Sequence, residues 1–115
     1  MSAVLTDRNS GISLSAEQAQ SVLDILNRVL LRSSGCHGLR AWVFGSRATG
    51  HARPFSDLDI LIDAPHALDW RDRADLADAF EASDLPFRVD VVEASRLAPG
   101  IAPRVLAERL SLTLA

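Results

Sequence analysis

The stretch Trp42–Asp63, WVFGSRATGHARPFSDLDILID, decides the fold and contains most of the candidate functional residues. It begins with a short apolar run that ends at Gly45-Ser46, which is typical of a strand followed by a turn. After a polar loop, Asp57–Asp63 (DLDILID) predicts a second strand. Alternate residues of a strand project from the same face, so Asp57 and Asp59 are expected to lie together. Two carboxylates on one face suit a shared divalent cation better than a hydrophobic core.

The composition predicts one domain in an ordinary soluble protein. The chain of 115 residues has room for a single core, and we expect a flexible arm at residues 1–12 followed by one domain at residues 13–115. The net charge is −3 and every basic residue is Arg, so strong nucleic-acid binding is not expected. A single cysteine, Cys36, allows no intrachain disulfide. Neither a signal peptide nor an apolar run of the ~20 residues that span a bilayer is visible, so a cytoplasmic location is expected.

The rest of the chain predicts helices around one more strand. Ser15 with Gln18 has the pattern of a capping box, and apolar residues follow it at helical spacing. The predicted elements are a helix Ser15–Arg32, a helix Asp69–Ala82, a strand Phe87–Val92 and a helix Pro99–Leu110. The last residues, LSLTLA, fit either an irregular end or an edge strand, and Trp42, Trp70 and Phe80 are assigned to the core. This order predicts an α/β (α+β) domain, with a small sheet, helices mainly on one face and acidic residues on the other.

Three aspartates are the candidate metal ligands. Asp57 and Asp59 share one strand, and Asp90 lies on the strand that follows the second long helix. Hard oxygen ligands in this number favour Mg²⁺ or Mn²⁺ over zinc. Two such ions suit phosphoryl or nucleotidyl transfer, because they activate a hydroxyl group and stabilise a leaving pyrophosphate.

The Gly45-Ser46 turn is the candidate phosphate contact. Glycine lets a backbone approach a ligand closely, and the first amides of a helical turn point toward an anion. The neighbouring Arg47 is a further candidate for a phosphate contact, with an exposed surface position as the alternative. The turn is neither a dinucleotide fingerprint nor a Walker loop, since the chain contains no G-x-G-x-x-G and no Gly-Lys-Ser/Thr.

Gly45-Ser46, followed by residues 47–56 and then Asp57-Leu58-Asp59, resembles the signature of the DNA polymerase β-like nucleotidyltransferase superfamily. With FGSRATG at residues 44–50 and RVDVV at residues 88–92, the chain is similar to the minimal nucleotidyltransferase (MNT) group, which includes the MntA-type antitoxins. The resemblance implies the nucleotidyltransferase fold, a small mixed β-sheet flanked by helices. It also implies two Mg²⁺ ions held by Asp57, Asp59 and Asp90, with ATP as the nucleotide donor.

The same resemblance implies roles and a partner. Asp90 would help to deprotonate the acceptor hydroxyl, and Gly45 and Ser46 would contact the phosphates. In the antitoxin branch, AMP from ATP is transferred to a tyrosine of a HEPN-type toxin, which silences the toxin. This chain contains no Tyr, so an acceptor tyrosine must belong to another molecule. One departure is visible, because many members have Arg where this chain has Thr49.

Two other functions remain open from the sequence. The first is an antitoxin that neutralises its partner by contact alone, without catalysis. The second is a nucleotidyltransferase subunit acting on a small molecule such as an antibiotic, which would need a partner subunit. The base of the nucleotide, the number of groups transferred and the state of assembly, as a homo- or hetero-oligomer, are not determined by these motifs.

Overall fold

The computed structural model describes residues 11–31, 40–64 and 67–112. The helices are α1 (Ala16–Leu26), α2 (Ser46–Thr49), α3 (Trp70–Glu81) and α4 (Ala102–Glu108). The strands are β1 (Arg40–Phe44), β2 (Leu58–Asp63), β3 (Val89–Glu93) and β4 (Leu110–Leu112). A π-helical segment, Asn27–Leu31, continues α1, and a 3₁₀ turn, Ala94–Arg96, follows β3.

The strands form one four-stranded mixed sheet in the order β3-β2-β1-β4. Strand β1 pairs antiparallel with β2 and with β4, whereas β2 and β3 run parallel. Parallel neighbours need a long crossover, which here contains α3. The predicted α/β fold with a small mixed sheet is therefore confirmed, and β4 is the edge strand that LSLTLA allowed.

The hydrophobic core lies on one face of the sheet, under α1 and α3. The sheet contributes alternate residues to it, since Val43, Leu58, Ile60 and Ile62 are almost completely buried. The helices contribute residues at helical spacing, which are Val22, Leu26, Leu30, Leu76 and Phe80. Alternation in β2 therefore sends the aspartate that precedes Ile60 to the opposite face.

Local sequence sets where the two long helices begin. Ser15 and Gln18 form the predicted capping box, with hydrogen bonds of 3.0 Å in both directions. Asp69 and Asp72 form a second one at the start of α3, where the Asp72 amide donates to Asp69 over 2.8 Å. These pairs satisfy amides that have no partner within the helix.

Several expectations are corrected. Trp70 is 68% exposed rather than part of the core, because the buried stripe of α3 runs through Leu76 and Phe80 instead. Trp42 is only half-buried, on the sheet face opposite the core. The last helix ends at Glu108, and Leu110 belongs to β4, because pairing with Val43 extends the chain there.

Part of the predicted arm lies within the packed structure. Ile12 is buried in the core, whereas residues 1–10 lie outside the described residues, as does Cys36. Among the helices of the described ranges, none combines the length and apolar character needed to cross a membrane.

Candidate active site

The candidate site begins with Asp59 and Asp90, which lie side by side on neighbouring strands. The parallel register of β2 and β3 pairs these two residues directly. Both therefore project from the face opposite the core, where the register places Leu61 and Val92 as the next pair. The sheet itself thus brings together two aspartates that are far apart in the sequence.

Asp57 lies just before β2 and is linked to Asp90 through Arg88. A guanidinium nitrogen of Arg88 is 3.3 Å from Oδ2 of Asp57 and 3.6 Å from Oδ2 of Asp90. The arginine side chain is 73% exposed, so this bridge lies at the open edge of the site. Arg88 therefore balances part of the negative charge that the aspartates bring together.

Asp59 is the carboxylate whose ionisation this environment disfavours. Burial raises the pKa of Asp59 above its ordinary value, and the negative charges of Asp90, Asp57 and Glu108 raise the pKa further. Arg88 acts in the opposite direction and lowers the pKa, but its effect is the smallest of these. The site thus concentrates negative charge that the protein's own cations do not fully balance.

The three aspartates fit a divalent cation by chemistry but not yet by geometry. Carboxylate oxygens are the ligands that Mg²⁺ prefers, and the raised pKa of Asp59 reflects like charges that a cation would offset. Within the described ranges, however, no three His, Cys, Asp or Glu side chains are grouped so that they could hold a metal ion. Arg88 would have to move away from Asp57 and Asp90 before the three carboxylates could bind one cation together. The metal-ligand roles of Asp57, Asp59 and Asp90 remain predictions.

Gly45 connects β1 to α2 and lies against Asp59. Its backbone has φ 75° and ψ −154°, a conformation that residues with a side chain rarely adopt. A Cβ atom at this position would overlap Oδ2 of Asp59. Glycine is therefore required here both by the backbone angles and by the close approach of the carboxylate.

The turn that follows is closed by its own hydrogen bonds. The Gly45 carbonyl accepts hydrogen bonds from the amides of Ala48 and Thr49 and from the Thr49 hydroxyl, the last over 3.2 Å. Thr49, at the position where the family resemblance implies Arg, thus supports the turn through its hydroxyl. Ser46 is half-buried at the start of α2 and directly follows Gly45, the residue that lies against Asp59. Its predicted contact with phosphate remains a prediction.

Arg47 has a different role from the predicted phosphate contact. Its side chain is only 4% exposed, and its nitrogens donate hydrogen bonds to backbone carbonyls of Ser13, Arg53, Pro54 and Ser56. Its guanidinium also lies over the ring of Phe87, 4.0 Å from the centroid. These contacts hold the loop between α2 and β2 and occupy the guanidinium nitrogens with backbone carbonyls. The residue type suggested an anion contact, whereas burial makes it a structural anchor.

Glu108, at the end of α4, is a site residue that the sequence patterns did not indicate. Its Oε1 accepts a hydrogen bond of 3.0 Å from the Gly45 amide, and its Oε2 lies 3.5 Å from Nε of Arg104. Its charge also contributes to the raised pKa of Asp59. No local motif marks this glutamate, because the contact with Gly45 joins residues that are 63 positions apart in the sequence.

A groove of about 710 Å³ opens beside Asp90. Its lining combines apolar residues, among them Phe55, Pro86 and Phe87, with the polar side chains of Glu81, Arg88 and Asp90. Phe55 is 75% exposed, an unusual position for a large aromatic side chain. The groove thus offers space for an aromatic group next to a carboxylate.

Comparison with known proteins gives one family and several relatives. Residues 39–113 match the family model described as polymerase beta, nucleotidyltransferase. The probable protein adenylyltransferase MntA of Haemophilus influenzae is 48% identical over 52 residues, which cover 45% of this chain and 46% of that protein. The protein adenylyltransferase MntA of Thermococcus cleftensis is 36% identical over 95 residues, or 83% of this chain and 93% of that protein. The alignment thus spans less than half of the first relative and nearly all of the second.

Solved structures of toxin–antitoxin complexes share the fold. One, determined with AMP-PNP, has a TM-score of 0.65 and 24% sequence identity, covering 84% of this chain and 73% of that chain. Another contains the tri-AMPylated HEPN toxin of Shewanella oneidensis with its MNT antitoxin, at a TM-score of 0.55 and 22% identity over 84% of this chain and 73% of that chain. At these identities the likeness establishes the fold.

Proposed function

The chain belongs to the polymerase beta nucleotidyltransferase family, and from that premise we propose that it transfers AMP from ATP to a hydroxyl group of a partner protein. The proposed acceptor is a tyrosine of a HEPN-type toxin, so that the chain acts as the antitoxin of the pair. The family itself, expected from the Gly45-Ser46 and Asp57-Leu58-Asp59 pattern, is confirmed by the match over residues 39–113.

The observation that carries the proposal is the pairing of Asp59 with Asp90 next to the Gly45-Ser46 turn. The register of β2 and β3 fixes the two carboxylates, and Gly45 lies in direct contact with one of them. A nucleotidyl transfer needs this combination, since phosphate groups and the acceptor hydroxyl must be held within bonding distance of each other. The raised pKa of Asp59 supports the proposal, because perturbed carboxylates occur often at catalytic sites.

Each residue has a defined part in the proposed reaction. The acceptor oxygen attacks the α-phosphorus of ATP, the bond from that phosphorus to the bridging oxygen breaks, and pyrophosphate leaves. Asp90 accepts the hydroxyl proton, since it lies at the end of the groove that has room for an aromatic acceptor. Divalent cations bound by Asp57, Asp59 and Asp90 would stabilise the charge on the phosphate oxygens. Ser46 and the first amides of α2 would hold the departing phosphates.

The partner follows from the relatives and from this chain's composition. Two relatives are named protein adenylyltransferases, and a similar fold occurs with an AMPylated HEPN toxin. This chain contains no Tyr, so a tyrosine acceptor must be supplied by a partner. The groove beside Asp90, with Phe55 and Phe87 among its lining residues, has the volume and the aromatic contacts to receive a tyrosine ring.

The proposal is tested with ATP labelled at two positions. The chain is incubated with Mg²⁺ and a purified HEPN-type toxin, once with α-labelled and once with γ-labelled ATP. Label from the α-position should enter the toxin, label from the γ-position should not, and Asp59→Asn should abolish the transfer. An absence of labelling with all four nucleoside triphosphates would contradict the enzymatic function.

Neutralisation by contact alone is the second candidate, and the arrangement of the carboxylates favours it. In the described part of the chain the aspartates do not form a ready metal cluster, and Arg88 lies close to two of them. Under this alternative, the double variant Asp57→Ala, Asp59→Ala would still bind the toxin and protect cells from it. Under the enzymatic proposal, the same variant would bind the toxin without protecting cells.

A further inference from the structure

Glu108 contacts the candidate phosphate turn from the far end of the chain. Its carboxylate accepts the Gly45 amide over 3.0 Å, and its side chain is only 16% exposed. A hydrogen bond between a carboxylate and a backbone amide is stronger than one between neutral groups, and partial burial strengthens it further. Gly45 is thus enclosed between two carboxylates, those of Asp59 and Glu108.

The surrounding backbone keeps Glu108 in this place. One residue beyond it, the Arg109 amide donates to the Val105 carbonyl, and Leu110 then pairs with Val43 of β1. Strand β1 ends next to Gly45. The end of α4 is therefore joined to the end of β1 twice, through the Glu108 hydrogen bond to Gly45 and through the pairing of β4 with β1. The pairing between β4 and β1 therefore holds the end of α4, which carries Glu108, beside the turn.

We propose that Glu108 is a positioning residue, whose hydrogen bond to the Gly45 amide fixes the turn in the orientation that presents Ser46 to the triphosphate. This inference rests on the proposed function, since it gives Glu108 a part in holding the nucleotide. Both ends of Gly45 are then fixed, because its carbonyl already accepts hydrogen bonds from the Ala48 and Thr49 amides. A turn held at both ends before the nucleotide arrives loses little conformational entropy on binding.

The opposing reading is that Glu108 competes with phosphate for the same amide. A competing carboxylate would make nucleotide binding weaker in the wild-type chain than in a variant that lacks it. A positioning carboxylate has the opposite effect, because its removal loosens the turn. The two readings therefore differ in the sign of the change that removal of the carboxylate causes.

The test compares three substitutions at position 108. Glu108→Gln keeps an oxygen at the same reach and loses the charge, Glu108→Asp keeps the charge and loses the reach, and Glu108→Ala loses both. Affinity for MgATP is measured by calorimetry without an acceptor protein. The Asp and Ala variants should bind MgATP about tenfold more weakly, as expected from losing one charge-assisted hydrogen bond, whereas the Gln variant should stay within about threefold of wild type.

A control variant separates the amide contact from the ion pair. Arg104→Ala removes the partner of Oε2 and leaves the contact with Gly45 in place, so its MgATP affinity should stay within about twofold of wild type. The Gly45 amide resonance provides a second readout, and it should shift in the Asp and Ala variants but hardly in the Gln and Arg104→Ala variants. If Glu108→Ala does not fold, the difference in MgATP affinity between the Gln and Asp variants still tests whether the hydrogen bond to Gly45 matters.

Several results would overturn the inference. Tighter binding by the Ala variant would show competition, and wild-type affinity in both Asp and Ala would show no role. A loss of affinity in Gln with wild-type affinity in Asp would assign the effect to charge alone. A wild-type chain that binds MgATP but labels no acceptor contradicts the proposed function and leaves the role of Glu108 in binding intact. The two claims therefore fail in different experiments.

Discussion

The carboxylate of Asp59 lies directly against Gly45, with no space between them for a Cβ atom. This contact follows from the sheet, because the register of β1 and β2 pairs Phe44, the residue before Gly45, with Asp59. A candidate metal ligand and the candidate phosphate turn are therefore held together by backbone pairing rather than by a mobile loop. Sites placed on regular elements in this way keep their geometry before a substrate binds.

Gly45→Ala should strongly destabilise the protein, and Gly50→Ala should do so less. Both glycines have positive φ, but an added Cβ overlaps Asp59 at Gly45 and meets no atom within 4 Å at Gly50. Backbone strain costs about 1–3 kcal/mol at such positions, and the overlap adds to it at Gly45 alone. Urea unfolding measures the difference in the free energy of unfolding. Equal losses for the two variants would contradict a tight contact between Gly45 and Asp59.

Asp59→Asn should make the metal-free protein more stable at neutral pH. Burial and the charges of Asp90 and Asp57 raise the pKa of Asp59, so the folded state holds this proton more tightly than the unfolded chain does. The stabilising contribution is complete below the unfolded pKa of about 3.9 and is lost as the pH rises through the higher folded pKa. The Asn variant does not ionise and escapes this loss.

The measurement for Asp59 is urea unfolding in EDTA buffer across the acid and neutral range. The stability gained by Asp59→Asn should shrink as the pH falls and should be lost below about 4, where the wild-type carboxyl becomes protonated in both states. Asp63→Asn is the matched control on the same strand, since it removes an exposed carboxylate that is paired with Arg40 at 2.7 Å. A gain in stability for the Asp63 variant that equals the gain for Asp59 would contradict the account.

Arg47→Ala should unfold the loop between α2 and β2 rather than act on the nucleotide alone. Its removal leaves backbone carbonyls without their donor, among them those of Ser13 and Ser56. A loss on the order of 2–4 kcal/mol in the free energy of unfolding is expected for such a buried network. Arg53→Ala, an exposed residue in the same loop, serves as the control for stability. Unchanged stability with weakened ATP binding would instead restore the phosphate contact predicted from the sequence.

Arg88→Gln should strengthen the binding of a divalent cation. The Arg88 guanidinium contacts Asp57 and lies near Asp90, so it competes with a cation for the same oxygens. Mn²⁺ binding, followed by electron paramagnetic resonance, should become several-fold tighter, as expected when an exposed ion pair no longer competes. Arg40→Gln breaks a similar Arg–Asp pair with Asp63 and should not change Mn²⁺ affinity. Unaltered binding would show that Arg88 does not compete with the cation, and weaker binding would show that Arg88 supports the cation-bound site. Either result would contradict the prediction.

Local signals were sufficient to predict much of the fold. The Ser15 and Gln18 capping box, the strand from Leu58 to Asp63 and the Gly45-Ser46 turn all depend on neighbouring residues, whose preferences act over a few positions. Family resemblance added the nucleotidyltransferase fold. The spacing between Gly45-Ser46 and Asp57-Leu58-Asp59 covers the whole connection from the end of β1 to the start of β2, which local preferences alone do not define.

The remaining features depend on contacts between distant segments. Arg47 has a residue type that suits phosphate, and only the fold shows that backbone carbonyls from two loops surround it. Glu108 reaches Gly45 because β4 pairs with β1, which no local pattern encodes. The apolar stripe in the sequence places Trp70 with Phe80 in the core, but the first turn of α3 directs Trp70 to solvent. The parallel pairing of β2 and β3 places Asp90 beside Asp59, and this register cannot be read from the sequence of either strand.

Mass spectrometry of an intact HEPN-type toxin tests most directly whether this chain transfers AMP to a partner protein. The purified toxin is incubated with this chain, ATP and Mg²⁺, and then analysed by mass spectrometry alongside reactions with Asp59→Asn and Asp90→Asn. We expect the wild-type chain to increase the mass of the toxin by one or more AMP groups, and neither variant to change it. Peptide analysis should then place the added groups on tyrosine. A toxin that binds the wild-type chain and retains its unmodified mass with every nucleoside triphosphate would contradict the proposed transfer.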